Sequence, residues 1–179
     1  MNCSDLSVPV VLGLGSNNEY QGLSPVQLLE KACILLGSRL SCLKTSSVYV
    51  TKAMYYEDQS DFHNMVVMGN FSGTPQELLT CINQIEAELG RDRSKEFRNG
   101  PRSMDIDIEL FGNLQVNTEN LQIPHPRITE RAFVLIPMLE IFHKDAEPFN
   151  IELFNAGYYE KCLQTLPDQG VRRLGTPRI

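Results

Sequence analysis

Two carboxylates stand two residues apart in the run Ser103-Met104-Asp105-Ile106-Asp107-Ile108-Glu109-Leu110, where polar and apolar residues alternate strictly. That period predicts a β-strand with one wet face. It puts both Asp side chains on the same side, with Cα atoms about 7 Å apart at roughly 3.3 Å rise per residue. Each carboxylate could hold one divalent ion, and the pair could bridge two ions about 4 Å apart, the clamp that in-line phosphoryl transfer uses. A solvated strand face made of Ser103, Asp105, Asp107 and Glu109 has the same pattern.

Directly before the carboxylates comes Gly100-Pro101-Arg102, and before that a basic stretch. Arg91, Arg93, Lys95, Arg98 and Arg102 face only Asp92 and Glu96, a positive excess in a chain whose net charge is −6. Crowded arginines are costly unless an anion visits them, and guanidinium forks suit phosphate oxygens. On charge alone a solvated loop reads equally well. Gly13-Leu14-Gly15-Ser16-Asn17 follows an apolar run but completes neither G-x-x-x-x-G-K-[ST] nor G-x-G-x-x-G, so neither phosphate-cradling loop applies. His125, between Pro124 and Pro126, sits on a stiff backbone where its ring could touch a phosphate. Phe62 and Phe133 read by residue type as core.

These residues need elements to position them. Val8 to Leu14 reads as a mostly buried strand. Ser24-Pro25-Val26-Gln27 carries a capping box with Pro at the first helical position, and Gly37 closes that helix. Leu40 to Val50 is β-prone, and Phe62 to Phe71 forms a further strand after a polar loop. Thr74-Pro75-Gln76-Glu77 repeats the capping signal, with Leu78, Leu79, Ile82, Ile85 and Leu89 at helical spacing up to Gly90. Pro124 to Arg127 is a rigid extended loop, and Thr129-Glu130-Arg131 opens a short helix through Leu139. The tail from Phe149 carries weak signals. The order strand, helix, strand, strand, helix, strand implies the ferredoxin-like α+β arrangement, an antiparallel sheet with helices on one face.

At 179 residues and 42% apolar composition, the chain has the length of one ordinary domain, without a repeat or a linker. Its apolar runs fall short of the ~20 residues of a bilayer span. No basic and apolar leader opens it, which points to the cytoplasm. Cys3, Cys33, Cys42, Cys81 and Cys162 form no C-x-x-C pair, which argues against a zinc site or a disulfide framework. The acidic balance argues against broad nucleic-acid binding.

Arg91-Asp92-Arg93, Asn99-Gly100-Pro101-Arg102-Ser103-Met104-Asp105-Ile106-Asp107-Ile108 and Ile123-Pro124-His125-Pro126-Arg127 together resemble the 6-hydroxymethyl-7,8-dihydropterin pyrophosphokinases. The resemblance runs from about Val10 to Pro148 within a single domain, residues 1–179; residues 149–179 lie outside it and receive no role. It also takes in Gly13 to Asn17, Asp58-Gln59 to Asn64, and Gln84-Ile85-Glu86. The family implies a ferredoxin-like fold and magnesium-dependent transfer of pyrophosphate from ATP to the pterin hydroxymethyl oxygen, releasing AMP, by a monomer in folate synthesis.

By position, the resemblance makes Asp105 and Asp107 the holders of two magnesium ions. Arg91 and Arg102 would stabilise charge on the phosphates, assisted by Arg93, Arg98 and Arg131. Gln84, Glu86 and His125 would touch the nucleotide, with Ile108 beside its adenine. Phe62 and Phe133 would sandwich the pterin, Asn64 would read its edge, and the backbone of Thr51 and Met54 would lie alongside. Departures from the bacterial pattern stand at Lys52-Ala53, Asn99, Asn120, Gln122 and Pro126. Two rivals remain: a nucleotidyltransferase, which would release pyrophosphate rather than AMP, and a ferredoxin-like nucleotide-binding regulatory domain without catalysis.

Overall fold

Both capping boxes form as the sequence dictates. Ser24 Oγ accepts the Gln27 N–H at 3.4 Å while Gln27 Oε1 accepts the Ser24 N–H at 2.9 Å, and Thr74 and Glu77 repeat the exchange. They open α1 (Pro25–Gly37) and α2 (Pro75–Glu88). The computed structural model describes residues 7–52, 60–92, 94, 100–144 and 152–179.

The sheet is built from β1 (Ser7–Ser16), β2 (Ser41–Thr45), β3 (Val48–Thr51), β4 (Phe62–Ser72), β5 (Asp105–Phe111) and, far down the chain, β8 (Arg172–Gly175). Its order is β5-β1-β4-β3-β8, with β2 also on β4, and the pairs are antiparallel. A short hairpin of β6 (Val116–Asn117) and β7 (Gln122–Ile123) follows β5. The first part of the chain thus realises the ferredoxin-like α+β order, with one change. The β-prone run Leu40 to Val50 splits at Ser46-Ser47, where Ser46 Oγ accepts the Val66 N–H and Ser47 donates its hydroxyl to Glu140. Serine side chains there take bonds a continuous strand would give to its neighbour.

Helices cover both faces of the sheet, not one. Val10, Leu12 and Leu14 of β1 pack with α1 and α2, whereas Val11, with Val66 and Met68 of β4, packs against α3 (Ala132–Lys144) and α4 (Ala156–Thr165). The apolar stretches Val10 to Leu12 and Met65 to Met68 are buried at both parities, which is the mark of a sheet covered on two sides. The wet strand face fails in the same way. Asp105 and Asp107 are half-buried, but Glu109 is fully buried because β5 runs under the second helical layer.

Beyond the weak signals of the tail, Asn155 caps α4 through a hydrogen bond from the Tyr158 N–H, and β8 joins β3.

Candidate active site

The pocket opens at the end of β1, on the sheet face that carries α3. Gly13 and Gly15 form its floor: a Cβ on Gly13 would come within 2.8 Å of Glu109 Oε1, and one on Gly15 within 3.2 Å of Asn64 Oδ1. A side chain at either position would press on the polar group that faces it. One side of the pocket carries Thr51, Phe62, Asn64 and Phe133, and the other Arg102, Asp105, Asp107, Glu109 and Arg131.

Phe62 and Asn64 alternate into this space from β4, and Phe133 projects from the first turn of α3. Asn64 is buried, and its amide donates to Thr51 Oγ1 at 2.9 Å, which joins the ends of β3 and β4. Two aromatic rings and an oriented amide suit a flat heterocycle with a hydrogen-bonding edge.

Charge is concentrated on β5. Arg91 donates to Asp105 Oδ1 at 2.5 Å and Arg102 to Asp105 Oδ2 at 2.9 Å. Arg91 also pairs with Glu86, which is 1% exposed and accepts the Ile106 N–H at 2.8 Å. Glu86 therefore fixes both the arginine and the strand beneath it. Arg131 donates to Asp107 Oδ2 at 3.0 Å, and its guanidinium lies 5.7 Å from the Phe133 ring centroid. His125 Nδ1 accepts the Arg127 N–H at 3.1 Å, which places the neutral ring's proton on Nε2, 3.8 Å from Asp107 Oδ2. Burial lowers the His125 pKa, against the pull of Asp107.

The Gly-Ser-Asn segment is tied to the basic stretch. Asn17 Oδ1 accepts the Arg102 N–H at 2.8 Å, and Asn17 Nδ2 donates to Ser60 O at 3.2 Å.

Of the expected site residues, Arg102, Asp105, Asp107, Arg131, Thr51, Phe62, Asn64 and Phe133 line the pocket. Arg91 and Glu86 reach it through Asp105, and His125 sits beside Asp107. Gln84 is exposed on α2, and the Ile108 side chain lies in the core with α1 and α2. Met54, Arg93 and Arg98 lie outside the described residues. Sequence reasoning missed Glu109 as a pocket residue. Both its carboxylate oxygens are buried, without a hydrogen-bond partner among the described residues. Burial, reinforced by Asp107 and opposed by Arg131, raises its pKa well above the usual range.

Among the described residues, no three His, Cys, Asp or Glu side chains gather to hold a metal. The donors at Asp105 and Asp107 are two partly exposed carboxylates, 26% and 36% accessible. An oxygen-only pair of this kind suits a hard cation that completes its shell with phosphate and water, as magnesium does.

Comparison with known proteins settles which family carries this arrangement. The profile of the 7,8-dihydro-6-hydroxymethylpterin-pyrophosphokinase (HPPK) family matches residues 11–143. This chain belongs to the HPPK family. It is 40% identical over 132 residues to the 2-amino-4-hydroxy-6-hydroxymethyldihydropteridine pyrophosphokinase of Aquifex aeolicus, covering 74% of this chain and 79% of that one. It is 52% identical over 98 residues to the Bacillus subtilis protein of the same name, covering 55% and 58%. It is also 40% identical over 154 residues to the folic acid synthesis protein fol1 of Pneumocystis carinii, covering 86% of this chain. The HPPK chain spans only 20% of that last relative's length. A solved structure of wild-type Plasmodium falciparum HPPK-DHPS shares the fold at a TM-score of 0.56 and 17% identity, covering 78% of this chain and 40% of that one.

Proposed function

We propose that this HPPK-family chain transfers the β,γ-pyrophosphate of ATP to the hydroxymethyl oxygen of 6-hydroxymethyl-7,8-dihydropterin, giving AMP and the pterin diphosphate used in folate synthesis. The observation that carries this reading is one pocket holding an aromatic pair with an oriented amide beside a carboxylate pair with arginines.

The chemistry asks little of the protein beyond placement and charge. An O–P bond forms between the hydroxymethyl oxygen and the β-phosphorus, the bond from that phosphorus to the α,β-bridging oxygen breaks, AMP departs with that oxygen, and the hydroxyl proton is released to solvent. Phe62 and Phe133 hold the pterin ring, and Asn64 and Thr51 set its orientation. Arg91, Arg102 and Arg131 now neutralise Asp105 and Asp107. A bound triphosphate offers those arginines bidentate anionic partners. They then offset charge that develops on the transferred group.

The carboxylates so released are suited to two magnesium ions, which would supply further charge neutralisation on the phosphates. Ile108 contributes to adenine through backbone rather than side chain, since its N–H shares the direction of the Ile106 N–H, on the edge of β5 away from β1. His125 offers Nε2–H to a phosphate oxygen. Four cysteines among the described residues are unpaired, in keeping with a reducing cytoplasm. We assign the chain a monomeric state, as its likeness to the family suggests.

The deciding experiment incubates the protein with ATP, magnesium and the pterin and separates the nucleotides. AMP that appears only with pterin, without ADP, is the expected result. Pyrophosphate with a nucleotidylated acceptor would instead show a nucleotidyltransferase. No turnover from folded protein that binds ATP would favour a regulatory domain.

A further inference from the structure

Arg131 occupies the position that caps α3, since its backbone is extended (φ −113, ψ 97) while its carbonyl accepts the Val134 and Leu135 N–H groups. A capping residue ordinarily supplies a side-chain acceptor to the free N–H groups of the first turn. Arginine has donors only, and this one is committed to Asp107. The missing acceptor comes from 37 residues down the chain: Gln169 Oε1 accepts the Ala132 N–H at 2.9 Å, and Gln169 Nε2 donates to Glu130 O at 2.9 Å. Both ends of one amide thus hold both sides of Arg131. Ala132 is followed by Phe133, so the same clasp sets the start of the turn that carries the aromatic wall.

The tail is itself fixed. Asp168 Oδ1 accepts the Gly170 N–H at 2.8 Å across a turn whose Gly170 has φ 65, and Arg173 Nε donates to Ser47 Oγ at 2.9 Å. Between them, β8 pairs with β3, placing Arg172 opposite Val50, one residue before Thr51. Gln169 also lies outside the stretch 11–143 that matches the family.

We propose that Gln169 is a positioning residue for the pyrophosphoryl-transfer reaction, acting through Arg131 and Phe133 from a C-terminal segment that the family match does not cover. The inference deepens the function proposed above and rests on it for its kinetic test. Gln169 touches neither substrate. It accepts a first-turn N–H for which Arg131, whose side chain has donors only and is committed to Asp107, offers no acceptor, and so lets one residue serve both helix and site.

The test uses the full chain with Gln169→Ala and Gln169→Glu. Glutamate keeps the acceptor for the Ala132 N–H and favours the positive end of α3, but loses the donor to Glu130 O. Steady-state kinetics should show Gln169→Ala raising the pterin KM and lowering kcat, together costing about 10- to 100-fold in kcat/KM, the scale of a misplaced positioning group. Gln169→Glu should recover part of this loss. Amide exchange at Ala132 should quicken in Gln169→Ala and return towards wild type in Gln169→Glu. Unchanged kcat and KM in Gln169→Ala, with or without a lower Tm, would overturn the proposal. If the wild-type protein forms no AMP, the functional reading fails separately. The exchange result then decides the clasp alone: unaltered Ala132 protection in Gln169→Ala overturns it, and lost protection recovered by Glu supports it.

Discussion

Asn17 and Arg102 are bonded in both directions, the Asn17 Oδ1 accepting the Arg102 N–H at 2.8 Å and the Arg102 carbonyl accepting the Asn17 N–H at 3.1 Å. Through Nδ2 the same Asn17 holds Ser60, two residues before Phe62. One buried amide therefore ties the arginine side of the pocket to its aromatic side. Asn17→Ala should lower kcat/KM about tenfold or more, the equivalent of roughly 1.4 kcal/mol, as measured by AMP formation. Asn17→Asp keeps the acceptor for Arg102 and should lose less. Equal activity in Asn17→Ala and wild type would remove this link.

Asp105 and Asp107 are half-exposed and contribute no apolar packing. Alanine at either position should leave a cooperative melt while cutting turnover by at least about 100-fold, the scale of a lost electrostatic contact to the transition state. Near wild-type AMP formation by Asp105→Ala or Asp107→Ala would refute their role as cation ligands.

Arg91 joins a buried carboxylate, Glu86, to Asp105. Arg91→Ala should lower kcat far more than it raises the pterin KM, since in the proposed reaction the guanidinium serves the phosphates. It should also lower Tm, because breaking a buried pair typically costs about 3–5 kcal/mol. The double variant Arg91→Ala/Glu86→Gln should recover stability without recovering kcat. A variant with a raised KM and a normal kcat would contradict the assignment.

Glu140 has a folded pKa of about 2. Burial alone would raise it, but Lys144, the backbone and hydroxyl of Ser47, and Tyr49 all donate to the carboxylate and outweigh that effect. A depressed carboxyl pKa stabilises the fold above the unfolded value, and this contribution fades as pH falls towards the folded one. Thermal melts should therefore show wild type exceeding Glu140→Gln by a constant margin above about pH 5, shrinking as pH falls from there towards about 2. A margin independent of pH across that range would exclude this origin.

Glu109 presents the opposite case, a carboxyl buried with neither oxygen hydrogen-bonded among the described residues. Glu109→Leu should raise Tm by several degrees, since a chain of this size shifts about 2–4 °C per kcal/mol and an unsatisfied buried polar group costs about 1–3 kcal/mol. A lower Tm would mean that the carboxyl is satisfied in solution.

What was legible in the sequence follows from how local each signal is. Ser24-Pro25 and Thr74-Pro75 state their helix starts within four residues, and Asp105-Ile106-Asp107 states a shared strand face within three. The burial of Glu109 was not legible. Its position in the alternation matches that of Asp107, and only the passage of β5 beneath α3 and α4 separates them. The same holds for Gln169, whose worth lies in a helix start 37 residues away. Ile108 shows a third limit, for the role proposed for it is carried by a main-chain N–H and would leave no trace in residue type. The second helical layer was legible in principle, from strands apolar at both parities, but a helix apolar on nearly every side shows no stripe to say what it covers.

The central place of β1, between β4 and β5, has a consequence for how the protein is made. The pocket floor at Gly13 and Gly15 is synthesised before the neighbour bearing Asp105 and Asp107, which begins roughly 90 residues later, a wait of about 5–20 s at ribosomal speeds of about 5–20 residues per second. For that interval one hydrogen-bonding edge of β1 has no native partner from its own chain, and the clasp on α3 comes later still. Nascent chains stalled before residue 105 should therefore depend on chaperones, and ligand binding should arise in one step once the chain has passed Gln169 rather than by degrees.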